Sequence, residues 1–215
     1  MNMKLPPRTV ERLSKYRRLL DKYKDVDEAH IYSHKLAGLL NLTPEQVRRD
    51  LMLIGLTGNH RKGYNIKALI SMIGHTIDRE EGYQVALVGI GNLGRALLGF
   101  IRKAETRMQV VAAFDIDKSK INTHLADVPC YDLIEAENVI KEKNIQIAIL
   151  TVPPETAVET STNLLQWGIR GILNFTSVHL DVPQDIYLKD YDIITSLEEI
   201  GFFIKEQPVP AVRLF

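Results

Sequence analysis

Residues Tyr83 to Lys120 restrict what this chain can fold into more than any other stretch. Gln84 to Val88 is a short, almost wholly apolar run, the pattern of a strand buried on both faces of a sheet. It leads into Gly89-Ile90-Gly91-Asn92-Leu93-Gly94. Behind that turn Leu93, Ala96, Leu97, Phe100 and Ile101 recur at helical spacing, which predicts one apolar helix face. A second apolar run, Gln109 to Phe114, ends on Asp115, 21 residues past Gly94. Strand, glycine turn, helix, strand and acid in this order predict a dinucleotide-binding α/β unit. Gly89 serves the tight turn, Gly91 lets the backbone approach a pyrophosphate, and Gly94 lets helix and strand pack closely. Free N–H groups and the dipole at the helix start favour phosphate, and Asp115 is placed to accept hydrogen bonds from an adenosine ribose. A 2′-phosphate there would meet a like charge, so NAD(H) is expected over NADP(H).

The chain beyond Asp115 repeats the alternation. Val128–Tyr131 reads as a weak strand, Leu133–Lys143 as a helix and Ile145–Val152 as a strand. Pro154 opens a helix that Gly168 closes, Gly171–Phe175 is a buried strand, and Tyr191–Thr195 is a further short one. Four or more such units predict a parallel, doubly wound sheet. Its ligand crevice should be lined by Gly89, Asp115, Thr151, Pro153 and Asn174, although Thr151, Pro153 and Asn174 read equally well as strand-end turns. Ile90, Asn92, Leu93, Ile116, Lys120 and Val152 complete the candidate cofactor set. Ser196 to Glu199 has the form of a capping box. The helix after it carries an apolar face of Leu197, Ile200, Phe203 and Ile204, to be covered by its own sheet or by a partner subunit. Gln207 to Phe215, with two prolines, reads as disordered.

The front of the chain has a different character. Residues 1–82 hold 15 Lys/Arg against 10 Asp/Glu, and the remainder 12 against 17. A basic front on an acidic back suggests that the front alone meets a polyanion. Thr9–Lys24 reads as a helix with Leu13, Tyr16, Leu20 and Tyr23 on one face and Arg8, Arg12, Lys15, Arg17 and Arg18 supplying charge; Asp25–Glu28 is an acidic connector. Ser33 can cap a short helix through Leu40. After a turn at Asn41-Leu42, Thr43 caps a second helix with Pro44 first and Gln46 completing a capping box. Two short helices with Leu36, Leu39, Leu42, Val47 and Leu51 apolar form a helix-turn-helix pattern; the bland alternative is a solvated αα-hairpin. Thr43, Glu45, Gln46, Arg48 and Arg49 near the second helix start are placed as a recognition helix presents residues to base edges, and Arg and Gln suit guanine and adenine. A glycine-rich basic turn, Gly55 to Tyr64, lies between Met52–Ile54 and Tyr64–Ile66 and suits a hairpin wing, with Arg61 and Lys62 at its tip. Ile66–Arg79 reads as a linking helix before a boundary at Arg79–Gly82.

No Tyr-x-x-x-Lys, His-Asp pair or cysteine nucleophile stands at the strand ends. No catalytic residues are therefore assigned, the dinucleotide reads as a sensed ligand, and no small-molecule substrate is expected. His34, His60 and His75 lack metal spacing, and Cys130 is the single cysteine, expected to be a plain buried or strand-end residue. The opening residues contain no apolar leader, and no apolar run approaches the ~18 residues of a membrane span. A cytoplasmic location and no membrane partner are expected.

Taken together, Gln46-Val-Arg-Arg-Asp-Leu51, Gly55-x-x-Gly58, Gly63-Tyr64, the glycine turn, Phe114-Asp-Ile-Asp117, Thr151-Val-Pro153 and Gly171-Ile-Leu-Asn-Phe175 resemble the Rex family of redox-sensing transcriptional repressors over nearly the whole chain. The resemblance implies a winged-helix DNA-binding domain at 1–80, a Rossmann NAD(H)-binding domain at 81–195, and a C-terminal helix and tail at 196–215 exchanged within a homodimer. It implies palindromic operator DNA as partner, bound when NAD+ dominates and released when NADH rises. It adds Tyr16 to the DNA-contacting residues and makes Arg18, Phe100 and Asp192 the redox-coupling set. Phe100 stands where a tyrosine is common, the wing His60-Arg-Lys-Gly-Tyr64 has one glycine fewer, and Asn174-Phe-Thr-Ser177 replaces Asn-Phe-Ala-Pro. The rival reading is a small NAD-dependent oxidoreductase whose N-terminal helices only dimerise it.

Overall fold

The computed structural model describes residues 5–23, 30–59, 61–104 and 106–205; Lys24, the connector at 25–28, His60 and the tail from Gln207 lie outside the described residues. The chain divides into two compact units, Met1–Glu80 and Glu81–Phe215.

The first unit runs α1 (Pro7–Leu20), β1 (His30–Ile31), α2 (Ser33–Leu39), α3 (Pro44–Leu53), β2 (Tyr64–Asn65) and α4 (Ile66–Ile77). Proline fits the first helical turn, where its missing N–H costs nothing, so α1 starts at Pro7 rather than Thr9. One core gathers Leu13, Tyr16 and Leu20 of α1, Leu36 of α2, Val47 and Leu51 of α3 and Leu69 of α4. Thr43 caps α3 as expected, its Oγ1 accepting the Gln46 N–H at 3.2 Å, and Asn65 caps α4 through the Ala68 N–H at 2.9 Å.

Two expectations for this unit are corrected. Ser33 is not a cap: Tyr32 holds the cap position of α2 and no side chain satisfies it. Met52–Ile54 is not a wing strand, since Met52 and Leu53 form the last turn of α3. Val47, Leu51 and Ile54 fall at i, i+4 and i+7 and are all buried, so the helical period prevails. The strand that pairs with β2 is β1, in antiparallel register His30↔Asn65 and Ile31↔Tyr64.

The second unit runs β3 (Tyr83–Val88), α5 (Asn92–Lys103), β4 (Met108–Asp115), β5 (His124–Leu125), β6 (Val128–Asp132), α6 (Ala136–Glu142), β7 (Ile147–Leu150), α7 (Pro154–Gln166), β8 (Gly171–Asn174), β9 (Tyr187–Asp190) and α8 (Ile193–Ile204). Its seven-stranded sheet has the order β5-β6-β4-β3-β7-β8-β9. Only β5 is antiparallel. The parallel strands therefore follow the doubly wound order 3-2-1-4-5-6, whose reversal between β3 and β7 opens a crevice at their carboxyl ends. Both faces are covered. Ala86, Val88, Phe114 and Leu150 enter one core, and Val85, Leu87, Ala113 and Ile149 the other.

Here too the chain departs from expectation. The last strand is β9, not Tyr191–Thr195. Ile193, Ile194 and Thr195 have strand-like composition, but Asp192 Oδ1 accepts the N–H groups of Ile194 at 2.9 Å and Thr195 at 3.1 Å and starts α8 there. Ser196, expected to cap, sits in the first turn and donates its hydroxyl to the Asp192 carbonyl at 2.8 Å. The buried face of α5 is Gly94 and Leu98, with Leu97 and Ile101 half-buried, whereas Leu93, Ala96 and Phe100 are exposed. Gly94 has no side chain to hold the helix off the strand, so the seam follows Gly94 rather than Leu93. None of the residues of α8 is buried.

Candidate functional site

The glycine turn is built by backbone contact. Gly89 adopts φ +94°, and a Cβ there would lie 2.7 Å from the Thr151 carbonyl oxygen; a Cβ on Gly94 would meet the Gly89 carbonyl, with Thr151 Oγ1 at 3.0 Å. Thr151 completes this knot by donating its hydroxyl to the Gly89 carbonyl at 2.7 Å. Gly91 is different: a Cβ there would meet nothing within 4 Å, and no side chain caps α5, for which Gly91 is the cap residue. Open space beside uncapped N–H groups at the start of a 12-residue helix is the geometry that accepts a pyrophosphate.

Asp115 lies at the end of β4 beside this turn. Its Oδ2 accepts the Ile90 N–H at 2.7 Å and Lys120 Nζ at 3.0 Å, and its Oδ1 accepts the Asp117 N–H at 2.9 Å. Burial raises the proton affinity of this carboxyl, but the hydrogen bonds from Asp117, Lys120 and Ile90 outweigh it and hold the pKa below the ordinary carboxylate value. An ionised carboxylate offers about four acceptor positions, so one remains on Oδ1 for a ribose hydroxyl. Lys120, placed among the cofactor residues, spans Asp115 and also Asp117, at 3.4 Å. Ile116 is strongly exposed beside them, and Val152 and Pro153 sit at the exit of β7.

Asn174 ends β8 as expected, but its side chain turns to the chain itself. It is fully buried. Its Nδ2 donates to the Val178 carbonyl at 3.0 Å and Asp190 Oδ1 at 2.8 Å, and its Oδ1 accepts from Thr176 N and Oγ1 at 3.0 and 2.7 Å. With every donor and acceptor used, its side chain has no hydrogen bond left for a ligand and instead organises the loop after β8. Cys130 is buried in β6, and burial raises its thiol pKa.

In the first unit the start of α3 is exposed at Thr43, Glu45, Arg48 and Arg49, with Gln46 half-buried. Arg48 is held in place by two neighbours: Nη1 donates to Ser33 Oγ at 3.1 Å and Nη2 to Glu45 Oε1 at 2.7 Å. The wing is a tight turn in which Asn59 Oδ1 accepts the N–H groups of Arg61 at 2.8 Å and Lys62 at 3.2 Å. Tyr32 ties the wing to the front of α2 by donating its hydroxyl to the Arg61 carbonyl at 2.7 Å. Both basic tip residues are exposed.

Tyr16 is not placed to touch DNA. It is 0% exposed, and its hydroxyl donates to Asp50 Oδ2 at 2.7 Å. Of the redox-coupling residues, Arg18 is exposed on α1. Phe100 is 63% exposed on α5, and Asp192 is the cap of α8. Hydrogen bonds from the Thr195 side chain and N–H hold the Asp192 carboxyl below its usual pKa.

Among the described residues no group of three or more His, Cys, Asp or Glu is arranged to hold a metal ion, and no helix is long and apolar enough to cross a membrane. The fold and site thus define a class: a winged-helix unit joined to a Rossmann unit with an open phosphate-binding turn. Comparison with known proteins agrees at the level of each unit. A family model described as "CoA binding domain" matches residues 80–178, and one described as "Putative DNA-binding protein N-terminus" matches residues 4–51.

Over the whole chain the likeness is more specific. The redox-sensing transcriptional repressor Rex of Geobacillus kaustophilus is 36% identical over 97% of both chains. That of Leuconostoc citreum is 36% identical over 94% of this chain and 93% of its own. The crystal structure of RSP, a Rex-family repressor, in complex with β-NAD+ and operator DNA superposes with a TM-score of 0.84 at 28% identity over 94% of both chains. The RSP complex with β-NADH gives a TM-score of 0.83 at 27% identity over 95% of this chain and 96% of its own. The chain belongs to the Rex family of redox-sensing transcriptional repressors.

Proposed function

We propose that this chain is a repressor that binds palindromic operator DNA as a homodimer and releases it when NADH occupies the glycine turn. The observation that carries this reading is the whole-chain likeness to a repressor solved with both β-NAD+ and operator DNA, on a chain whose phosphate turn is open at Gly91. The dinucleotide is held by backbone N–H groups from Gly91 to Gly94, by Asp115 and Ile116, and by the Thr151–Pro153 exit. Coenzyme A, named in one matching family model, shares the adenosine pyrophosphate that such a turn holds. The protein is a cytosolic regulator rather than an enzyme.

The dimer follows from α8. An apolar helix exposed all round has to be covered by something, and Ile193, Leu197, Ile200, Phe203 and Ile204 are each more than half exposed. A second copy that receives α8 covers them. NADH lacks the nicotinamide positive charge of NAD+. It favours a closed arrangement of the paired Rossmann units in which the winged helices no longer fit successive half-sites. A ligand shifts such a balance only through its differential affinity for the two states. Arg18 and Asp192 carry the charge-sensitive part of this coupling, because Phe100 supplies a ring and no hydrogen bond.

Arg48 is the base-reading residue with the most constrained geometry. Arg48→Ala is expected to cost about 1–3 kcal/mol per half-site on a palindromic duplex enriched from a random pool by the wild-type chain. NADH affinity, measured by calorimetry, should stay unchanged. Undiminished duplex binding would remove Arg48 from the reading head, and loss of both activities would indicate unfolding.

A further inference from the structure

Asp50 sits where an apolar side chain belongs. It lies on α3 between Val47 and Leu51, both 0% exposed, and is itself 1% exposed. All of its side-chain hydrogen bonds go to one element. Oδ1 accepts Arg12 Nη2 at 2.6 Å and Thr9 Oγ1 at 3.3 Å; Oδ2 accepts Arg12 Nε at 2.6 Å and the Tyr16 hydroxyl at 2.7 Å. Thr9, Arg12 and Tyr16 form one stripe of α1, and Arg12 Nη2 also donates to Thr9 Oγ1 at 3.2 Å.

Such a pair is a poor source of stability. Desolvating two charges offsets most of their attraction, and well-packed apolar replacements are often neutral or stabilising. Direction is what it provides. A planar guanidinium gripping a carboxylate with two parallel hydrogen bonds fixes distance and rotation together, whereas the apolar core that Val47 and Leu51 share with Leu13 and Leu20 is non-directional. Rotation matters here because the opposite face of α3 carries Arg48 and Arg49. A turn of ~20° about a helix of side-chain radius ~5–6 Å moves that face by about 2 Å, more than a base-edge hydrogen bond tolerates.

We propose that Arg12, Tyr16 and Asp50 are positioning residues for operator recognition, a clamp that sets the rotation of α3 on α1 and so aims Arg48 and Arg49. This rests on the repressor reading given above. The opposing view makes the cluster an ordinary core ion pair whose loss is felt as stability alone.

The test compares the full-length wild type, the double variant Arg12→Met/Asp50→Leu and the single variant Arg12→Lys. Measured are the thermal midpoint, NADH affinity, and affinity for the selected palindrome and for an unrelated duplex. The double exchange removes one charge of each sign, so the phosphate-driven, sequence-independent binding should not change. Expected for the double variant are a cooperative thermal transition, lowered by no more than the loss of the acceptor for the buried Tyr16 hydroxyl, unchanged NADH and unrelated-duplex affinity, and a tenfold or larger loss on the palindrome. Arg12→Lys keeps the charge but lacks the fork, and should lose palindrome affinity in the same sense. Full palindrome affinity in a folded double variant would overturn the proposal. So would unfolding of both variants, which would make the pair a support of the fold. A wild-type chain that enriches no palindrome would instead remove the repressor reading itself, and is recognised before any variant is made.

Discussion

Gly91→Ala is expected to leave the fold intact while abolishing dinucleotide binding, and Gly94→Ala to damage both. A methyl group on Gly91 meets nothing in the ligand-free chain, and the residue holds φ −79° and ψ −170°, a conformation alanine adopts freely. Exchanges of this kind raise stability by about 0.4–1 kcal/mol by restricting the unfolded chain. The same methyl group would stand where a pyrophosphate must approach the backbone, so NADH affinity should fall by about 100-fold or more, near the ~3 kcal/mol typical of losing several charge-assisted hydrogen bonds. On Gly94 the methyl group instead meets the Gly89 carbonyl. Backbone cannot give way as a flexible side chain does, so α5 has to retreat from β3 at about 1–3 kcal/mol of overpacking. Thermal denaturation together with calorimetric NADH titration checks both. An unfolded Gly91→Ala, or one that still binds NADH fully, would show that the turn works differently.

Charging α8 should separate the two subunits. In Leu197→Asp/Ile200→Asp both exchanged residues lie on one face of a helix none of whose residues is buried within its own chain. The stability of a single subunit should therefore be little affected. Central apolar anchors of an interface are commonly worth 2 kcal/mol or more, up to ~4–8, when truncated, and a carboxylate costs more than truncation. Sedimentation should show a monomer at micromolar concentration. Two unlinked heads also lose the advantage of joint engagement, so affinity for the selected palindrome should fall by roughly 10²–10⁴. A variant that remains dimeric, or a monomer that binds the palindrome as tightly as wild type, would contradict the arrangement.

The sequence declared its Rossmann unit because that unit depends on local backbone chemistry. Gly89 needs a positive φ, Gly94 needs close approach, and Asp115 ends a strand. Each leaves a residue type that few others replace. Thr43-Pro44 announced α3 in the same way, through a cap and a first-turn proline.

What stayed hidden depends on partners distant in the chain. The two-residue β1 is too short to show a period, and only its pairing with β2 makes it a strand. Ile193-Ile194-Thr195 has strand composition, and a single carboxylate at Asp192 overrules it. Leu93, Ala96 and Phe100 follow helical spacing as well as Gly94 and Leu98 do, so spacing alone could not tell which stripe meets the sheet. A glycine in the seam was the available clue. A strand end marks Asn174 as a crevice residue and a basic helix marks Tyr16 as a neighbour of DNA, yet both spend their hydrogen bonds inside the chain. Asp50 in the register of Val47 and Leu51 was the legible sign that a donor had to lie opposite it, because a buried carboxylate is not left unpaired.

Release of DNA by NADH and not by NAD+ is tested most directly by titrating the selected palindromic duplex with the full-length chain saturated by one dinucleotide or the other and following fluorescence anisotropy. A coupling of ~1–3 kcal/mol predicts ~5–150-fold weaker binding with NADH, with NAD+ leaving the affinity close to that of the dinucleotide-free chain. Equal affinities in the two titrations, with both ligands shown by calorimetry to be bound, would contradict it.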